Sequence, residues 1–336
     1  MKVLQVDGEF GLENLALAER PMPEPGPGEV LLRMQAASLN YRDWLMIRGL
    51  YNPKQPLPLI PCSDGVGEVT AIGEGVSRFE VGDRAIAQFC QGWISGDPPR
   101  DSLRNTLGGP LDGTLAEFMV LPEEGVVTAP GHLSDVEAAA LTCAGLSAWS
   151  AISTLAEIGE GDTVLVLGTG GVSIFALQFA QLLGARVIVT SSSDAKLERA
   201  RQLGATATIN YRETPEWAKV VKEHTDGQGV ALVVEVGGAE TLPESIKSLR
   251  QGGQISLMGN LTGGVSKLNL VPVFMRGLRI QGILVGHREG FEAMCEVISR
   301  SQMRPVVDAV YPWADTRQAF EQLDSGRHFG KICLRS

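Results

Sequence analysis

Residues 163–176 begin with an apolar run, Thr163, Val164, Leu165, Val166 and Leu167, break at Gly168, Thr169, Gly170 and Gly171, and resume with Val172, Ser173, Ile174, Phe175 and Ala176. An apolar strand that stops at glycines and restarts as a helix constrains the fold more than any other stretch here. Gly168 permits a tight turn, and Gly170 lets the backbone approach a pyrophosphate. The N–H groups of Gly171, Val172 and Ser173 open a helix whose positive dipole end faces the phosphates. Ser173 stands where the usual fingerprint has a third glycine, and it is small enough for close helix–strand packing. A plain strand–turn–helix connection also uses glycine, so the context carries the argument. Ala176, Leu177, Phe179, Ala180, Leu182 and Leu183 recur at helical spacing, Gly184 and Ala185 end the helix, and 187–190 is a second apolar run. A βαβ unit in this order points to dinucleotide binding.

At 336 residues the chain is long enough for two domains with ample cores, and 44% apolar with 20% charged residues is an ordinary globular balance. The 29 Lys and Arg against 39 Asp and Glu give a formal charge of -10, which argues against nucleic acid or an anionic membrane as partner. No apolar stretch reaches transmembrane length. The N-terminus enters a strand directly with no signal core or Arg-rich transit helix, so the expected location is cytoplasmic. Cys62, Cys90, Cys143, Cys295 and Cys333 are odd in number and widely separated, as expected of reduced thiols.

The first third is rich in Gly, Pro and Val, with strand-like runs at 30–34, 66–72, 84–89 and 116–120 bounded by turn residues, and reads as an antiparallel β domain. Strand-like runs at 164–167, 187–190, 207–210, 232–236, 254–258 and 280–285 then alternate with helical segments that include 216–224 and 241–249, the pattern of a doubly wound α/β sheet. A helix at 291–299 and a strand at 330–334 read as a return to the first domain. The expected division is 1–124 completed by 289–336, and 125–288.

Gly65, Val66, Gly67, Glu68 and Val69, then Gly73, Gly75, Val76 and Phe79, then Val81, Gly82, Asp83 and Arg84 form a pattern that resembles the first domain of medium-chain dehydrogenases/reductases. Residues 141–149, 168–176 and 210–213 extend the likeness over nearly the whole chain. It implies a GroES-like antiparallel β catalytic domain joined to a Rossmann domain. The alcohol-dehydrogenase branch holds a catalytic zinc with Cys and His ligands, and those ligands are absent here. Asn40 stands where the first Cys falls, and Ser63 where the His of a Gly-His-Glu motif falls. An amide and a hydroxyl are not competent zinc ligands. Asp64 matches the Glu of that motif and is expected in a loop hydrogen-bond network. Only Cys90 lies in 89–121, so the four-Cys structural zinc lobe is missing too. The pattern resembles the zinc-independent quinone oxidoreductase (zeta-crystallin-like) branch, which implies hydride transfer from NAD(P)H to a quinone, enone or similar activated alkene, and a homodimer joined through the sixth strands.

NAD enzymes of this fold place Asp or Glu at the end of the second strand to bind the ribose hydroxyls. Here that strand ends Thr190, Ser191, Ser192, Ser193, and Lys196 follows one helical turn later as a point charge. Three serines without a carboxylate favour NADPH, and Ser192, Ser193, Lys196 and Tyr211 match the branch's 2′-phosphate contacts. Ser193 or Asp194 also reads as a helix cap, and Asp194 as a rival ribose ligand.

In the former metal loop Asn40, Tyr41 and Asp43 are the expected catalytic residues. Asn40 donates to a developing enolate beside the nicotinamide, and Tyr41 or a water protonates the α-carbon. Arg42 and Asp43 read equally as a local structural pair. The family likeness places Thr142 on the nicotinamide side and Lys331 near the cofactor phosphates. Val236, Gly237, Gly259, Leu261 and Val285 follow the later strands at the sheet's carboxyl edge, as further cofactor contacts. Trp44, Tyr51 and Trp93 read as substrate walls or as core. The alternatives to the reductase reading are a zinc-free NADP-dependent alcohol or aldehyde dehydrogenase and an NADPH-binding protein of low turnover.

Overall fold

Short apolar stretches ended by glycine, proline and acidic residues make strands from the first residues onward. In order these are β1 (Lys2–Val6), β2 (Leu15–Glu19), β3 (Glu29–Ser38), α1 (Tyr41–Ile47), β4 (Asp64–Ile72), β5 (Arg84–Ala87), β6 (Phe118–Pro122), β7 (Val126–Thr128), α2 (Asp135–Ala139) and α3 (Leu146–Trp149). The structure, a computed structural model, describes residues 1–336. β3 pairs antiparallel with β4 and with β6, β4 with β5, and β5 with β7. One apolar face of this sheet closes over Val30, Leu32, Val69, Phe79 and Leu121.

The second run of elements is β8 (Thr163–Leu167), α4 (Gly171–Leu182), β9 (Arg186–Ser191), α5 (Asp194–Gln202), β10 (Ala207–Asn210), α6 (Trp217–Glu223), β11 (Val230–Glu235), α7 (Leu242–Ser248), β12 (Leu249–Leu257), α8 (Val271–Met275) and β13 (Arg279–Gly282). All six strands run parallel in the order β10-β9-β8-β11-β12-β13. Every residue of β8 and β11 is buried, which explains why they read as continuous apolar runs rather than alternating ones. Leu165, Ile188, Val233 and Ile255 meet Trp217 and Ile246 in this core. Chain direction along the sheet reverses between β8 and β11, the switch point where ligands of doubly wound sheets bind.

The chain ends with α9 (Arg288–Ser301), β14 (Val307–Pro312), α10 (Thr316–Asp324) and β15 (Lys331–Arg335). β15 joins β3 antiparallel, with Cys333 opposite Ser38, and β14 lies parallel to β15. No element is expected between 300 and 329, yet β14 and α10 form there. Thr316, Ala319, Phe320 and Leu323 supply the buried stripe of α10 at helical spacing.

Two units result, Met1–Leu146 with Gly286–Ser336, and Ser147–Val285. The expected boundary at 124/125 therefore moves to 146/147, because β7 completes the first sheet against β5 and the Thr142 hydroxyl donates to Ala87 O at 3.0 Å. The later boundary moves from 288 to 285. The strand expected at 280–285 ends at Gly282, and Val285 takes φ 49, a left-handed backbone that a β-branched residue rarely adopts.

Candidate active site

In the second unit, the turn after β8 has the form the fingerprint requires. Gly168 adopts φ 73, and its N–H donates to Thr190 O at 2.9 Å. A Cβ on Gly168 would meet nothing closer than Ser173 Oγ at 3.9 Å, so backbone conformation rather than space demands glycine there. Thr169 is buried, Gly170 is the N-cap of α4, and no side chain caps the helix. The first-turn N–H groups of Gly171, Val172 and Ser173 are thus available to an anion. Ser173 Oγ donates to Leu167 O at 2.7 Å, tying the helix start back onto β8.

The turn after β11 is organised by a carboxylate that the sequence reading passed over. Glu235 is fully buried and accepts from Gly237 N–H at 2.8 Å, Gly238 N–H at 3.1 Å and the Thr241 hydroxyl at 2.7 Å, as well as from the Ser245 hydroxyl. Four donors satisfy one buried charge and fix the Val236–Gly237 turn. A lone Glu inside an apolar strand was the available signal. A Cβ on Gly259 would fall 2.2 Å from Val236 O, so the turns after β11 and β12 approach each other only because residue 259 is glycine. Leu261 lies exposed just beyond.

At the ends of β9 and β10 the structure gathers Ser192, Ser193, Lys196 and Tyr211, with Asn210 in register opposite Ser191 and the Tyr211 N–H donating to Ser191 O. Ser193 does cap α5, accepting from Lys196 N–H at 3.4 Å. Asp194 lies in the first helical turn and accepts from Asn210 Nδ2 at 2.8 Å, which occupies the rival ribose ligand. These residues fit a nicotinamide dinucleotide: a glycine turn with free N–H groups, and a strand end bearing hydroxyls in place of a carboxylate.

The first unit holds the residues of the former metal loop. α1 starts at Tyr41, and the Asp43 carboxylate reaches back to accept from Asn40 N–H at 2.8 Å. Asp43 is fully buried, and its other oxygen takes Arg42 Nη1 at 3.1 Å. Arg42 also donates to Leu107 O and Gly109 O, both at 3.0 Å, and lies over the Tyr51 and Phe89 rings. Asp43 was expected among the catalytic residues. In the structure both its oxygens are bonded within the protein and the side chain is fully buried, an arrangement that positions the loop. Tyr41 is 40% exposed on the first turn of α1. Trp44 stacks on Phe320 in the core, and Trp93 Nε1 donates to Gly96 O at 3.0 Å.

Burial pushes the Asp43 carboxyl from 3.8 up to about 6, with Arg42 pulling it down and Asp64 raising it. A folded-state value above the unfolded one means that the folded chain binds this proton more readily. The group's stabilising contribution is therefore present below about pH 4 and is lost as pH rises through about 6. Thermal melts should show wild type losing stability relative to Asp43→Asn across that interval. Parallel curves for the two proteins would refute the assignment.

Lys331 departs most from expectation. Instead of reaching cofactor phosphates, it is 3% exposed and donates to Leu39 O at 2.8 Å and Asn40 Oδ1 at 2.6 Å, with Asp64 Oδ2 at 3.5 Å. Pairing of β15 with β3 brings it there, where two of its ammonium hydrogens go to protein oxygens and its charge faces the Asp64 carboxylate. Asp64 and Ser63 are fully buried; Ser63 Oγ donates to Asp64 Oδ1 at 2.7 Å and lies 3.5 Å from Asn40 Nδ2. No three His, Cys, Asp or Glu side chains converge as metal ligands. The donor set does not fit zinc: an amide, a hydroxyl and a carboxylate already paired with an ammonium. Thr142, expected beside the nicotinamide, is buried and bonded to Ala87 O.

This architecture, a GroES-like β domain with a Rossmann domain, defines an NAD(P)-dependent oxidoreductase. Residues 26–131 match the alcohol dehydrogenase GroES-like domain and residues 171–300 the zinc-binding dehydrogenase domain. The chain is 43% identical over 332 residues to a zinc-type alcohol dehydrogenase-like protein of Schizosaccharomyces pombe, covering 97% of this chain and 96% of that one. It is 29% identical to an acryloyl-coenzyme A reductase of Metallosphaera sedula, covering 99% of each. Among solved structures it resembles an NAD-dependent alcohol dehydrogenase at TM-score 0.91 and 35% identity, covering 100% of both chains. A mycobacterial protein complexed with NADPH matches at TM-score 0.82 and 27% identity, again over 100% of both. The chain belongs to the medium-chain dehydrogenase/reductase family.

Proposed function

We propose that this chain is a zinc-independent, NADPH-preferring reductase of quinones, enones or related activated alkenes. The observation that carries the reading is the replacement of metal-ligand positions by Asn40 and Ser63, with the Lys331 ammonium, paired with Asp64, as the local cation. The cofactor, when bound, supplies a hydride to the β-carbon of the acceptor. The alkene electron pair then moves onto the carbonyl oxygen, where the Asn40 amide stabilises the charge by donating a hydrogen bond. Tyr41 or a water returns a proton to the α-carbon, which balances the reduction. The likeness to an acryloyl-coenzyme A reductase supports an activated-alkene acceptor. The Ser191–Ser193 strand end and the likeness to an NADPH-bound structure support NADPH.

A second reading, a zinc-free alcohol dehydrogenase, is favoured by the names of the relatives at 43% and 35% identity. A panel of quinones, short enones and acyl-thioester alkenes, read by NADPH oxidation beside alcohol-dependent reduction of NADP⁺, separates the two. The proposal expects turnover of the acceptors and no loss of rate on chelation. Alcohol oxidation alone, or about one tightly bound zinc per chain with chelator-sensitive rate, overturns it.

The proposal includes a cytoplasmic homodimer. Five cysteines without a disulfide suit a reducing compartment, and no helix is long and apolar enough to cross a membrane. All of β13 is exposed at the end of its sheet, and α8, which leads into it, exposes Phe274 at 67% and Met275 at 69%. An unpaired strand edge beside an apolar patch calls for a second copy. Phe274→Asp should convert dimer to monomer in analytical ultracentrifugation, and a wild-type monomer would refute the assembly.

A further inference from the structure

We infer that Lys331 is a positioning residue, whose ammonium locks the Asn40 carboxamide with its NH2 group on the side away from Nζ and strengthens that group as a donor. This rests on the reading of Asn40 as the donor to substrate oxygen. The hydrogen-bond directions follow from chemistry alone. A lysine ammonium has three donors and no acceptor, so the Asn40 atom 2.6 Å from Nζ must be the carbonyl Oδ1. The amide nitrogen is thereby forced to the opposite side, toward Ser63 Oγ at 3.5 Å. Ser63 gives its single hydrogen to Asp64 Oδ1 at 2.7 Å, which leaves its lone pairs to receive one amide hydrogen. Asp64 Oδ2 faces Nζ at 3.5 Å and closes the ring.

Lys331 sets the orientation of the Asn40 amide and the Asp64 carboxylate that of the Ser63 hydroxyl, and the second amide hydrogen of Asn40 has no acceptor in this ring. Withdrawal of electron density from Oδ1 by a charge makes the NH2 a stronger donor, as in other polarised chains. Burial keeps this effect from being screened by water, since Lys331, Ser63 and Asp64 are 3%, 0% and 0% exposed. The cation that relatives with metal ligands would apply directly to a substrate oxygen here acts through an amide. Asp64 compensates the buried charge and tethers Ser63.

Lys331→Met alone would leave Asp64 as an uncompensated buried charge, so the test pairs it with Asp64→Asn. Lys331→Arg, which keeps the charge but moves the donor off Oδ1, serves as the second variant if the pair does not fold. Steady-state rates with the best acceptor of the panel should fall about 10-fold or more in kcat, with NADPH affinity within a few-fold of wild type. In an Asn40→Ala background the same changes should cost less than about twofold, because the residue they act through is gone. Without cofactor or turnover, selective 15N labelling of asparagine side chains, with Asn40 identified by its loss in Asn40→Ala, should show a slow-exchanging amide pair whose protection is lost in the variants.

Equal rate losses with and without Asn40, or an Asn40 amide signal indifferent to Lys331, overturn the inference. If Asn40→Ala lowers kcat while the Lys331 variants do not, the inference alone fails. If Asn40→Ala keeps full kcat, the donor reading fails and takes the inference with it.

Discussion

Asn40→Ala should lower kcat by roughly 100-fold or more on the best acceptor, while NADPH binding stays within a few-fold of wild type. The expectation follows from the timing of the bond. A ground-state carbonyl oxygen gains little from one neutral donor, whereas an oxygen that takes on negative charge gains much in a site with little water. An interaction made mainly in the transition state appears in kcat and leaves cofactor affinity alone. Asn40 meets the structural demands: it is buried, its backbone N–H is held by Asp43, and its Oδ1 is held by Lys331. Stopped-flow hydride transfer beside equilibrium NADPH titration separates the two effects. A variant with nearly full kcat would assign Asn40 to loop structure and turn attention to Tyr41.

On the NADPH reading, Lys196→Ala should weaken NADPH by about 1.5–3 kcal/mol, roughly 10- to 150-fold, and leave NADH nearly unchanged, because the 2′-phosphate is the charge that distinguishes the two cofactors. The strand itself ends on hydroxyls rather than a carboxylate. Asp194, the one acidic group near the strand end, is turned to Asn210. Ser193 Oγ accepts from the Lys196 backbone N–H as a helix cap, and Ser192 and Tyr211 stand beside it at the ends of the two strands. Fluorescence titration of both cofactors against wild type and variant reads the difference directly. An equal loss for NADH and NADPH would place Lys196 outside the phosphate contacts, and a wild type that prefers NADH would overturn the cofactor assignment itself.

Much of this protein was legible in its residues because the interactions concerned are local. A strand, a glycine turn and a helix at 163–182 involve neighbours in sequence, and the helical and strand periods state which face is buried. The order of apolar runs and helices implies the parallel sheet, since each crossover constrains its neighbour. The absence of Cys and His at 40 and 63 is likewise a matter of residue identity, readable before any fold is known.

What the residues alone left undecided depends on partners distant in sequence. Asp43 read as catalytic because a carboxylate in a polar loop has no label; only its burial against Asn40 and Arg42 makes it a structural clamp. Glu235 stands out as a lone acid in an apolar strand, but no local pattern says that four donors from the following turn and helix converge on it. The domain boundary shifted because β7 finds its hydrogen-bond partner in β5, some 40 residues upstream. Lys331 shows the limit most clearly, lying 291 residues from Asn40 in sequence yet bonded to it. Sequence by itself determined the fold class, the dinucleotide cradle and the missing ligand types, since these follow from local periodicity and side-chain chemistry. Only the tertiary structure decided which buried charge meets which buried dipole, because antiparallel pairing of β15 with β3 carries the Lys331 ammonium to Asn40 and Asp64, and no local pattern encodes that meeting.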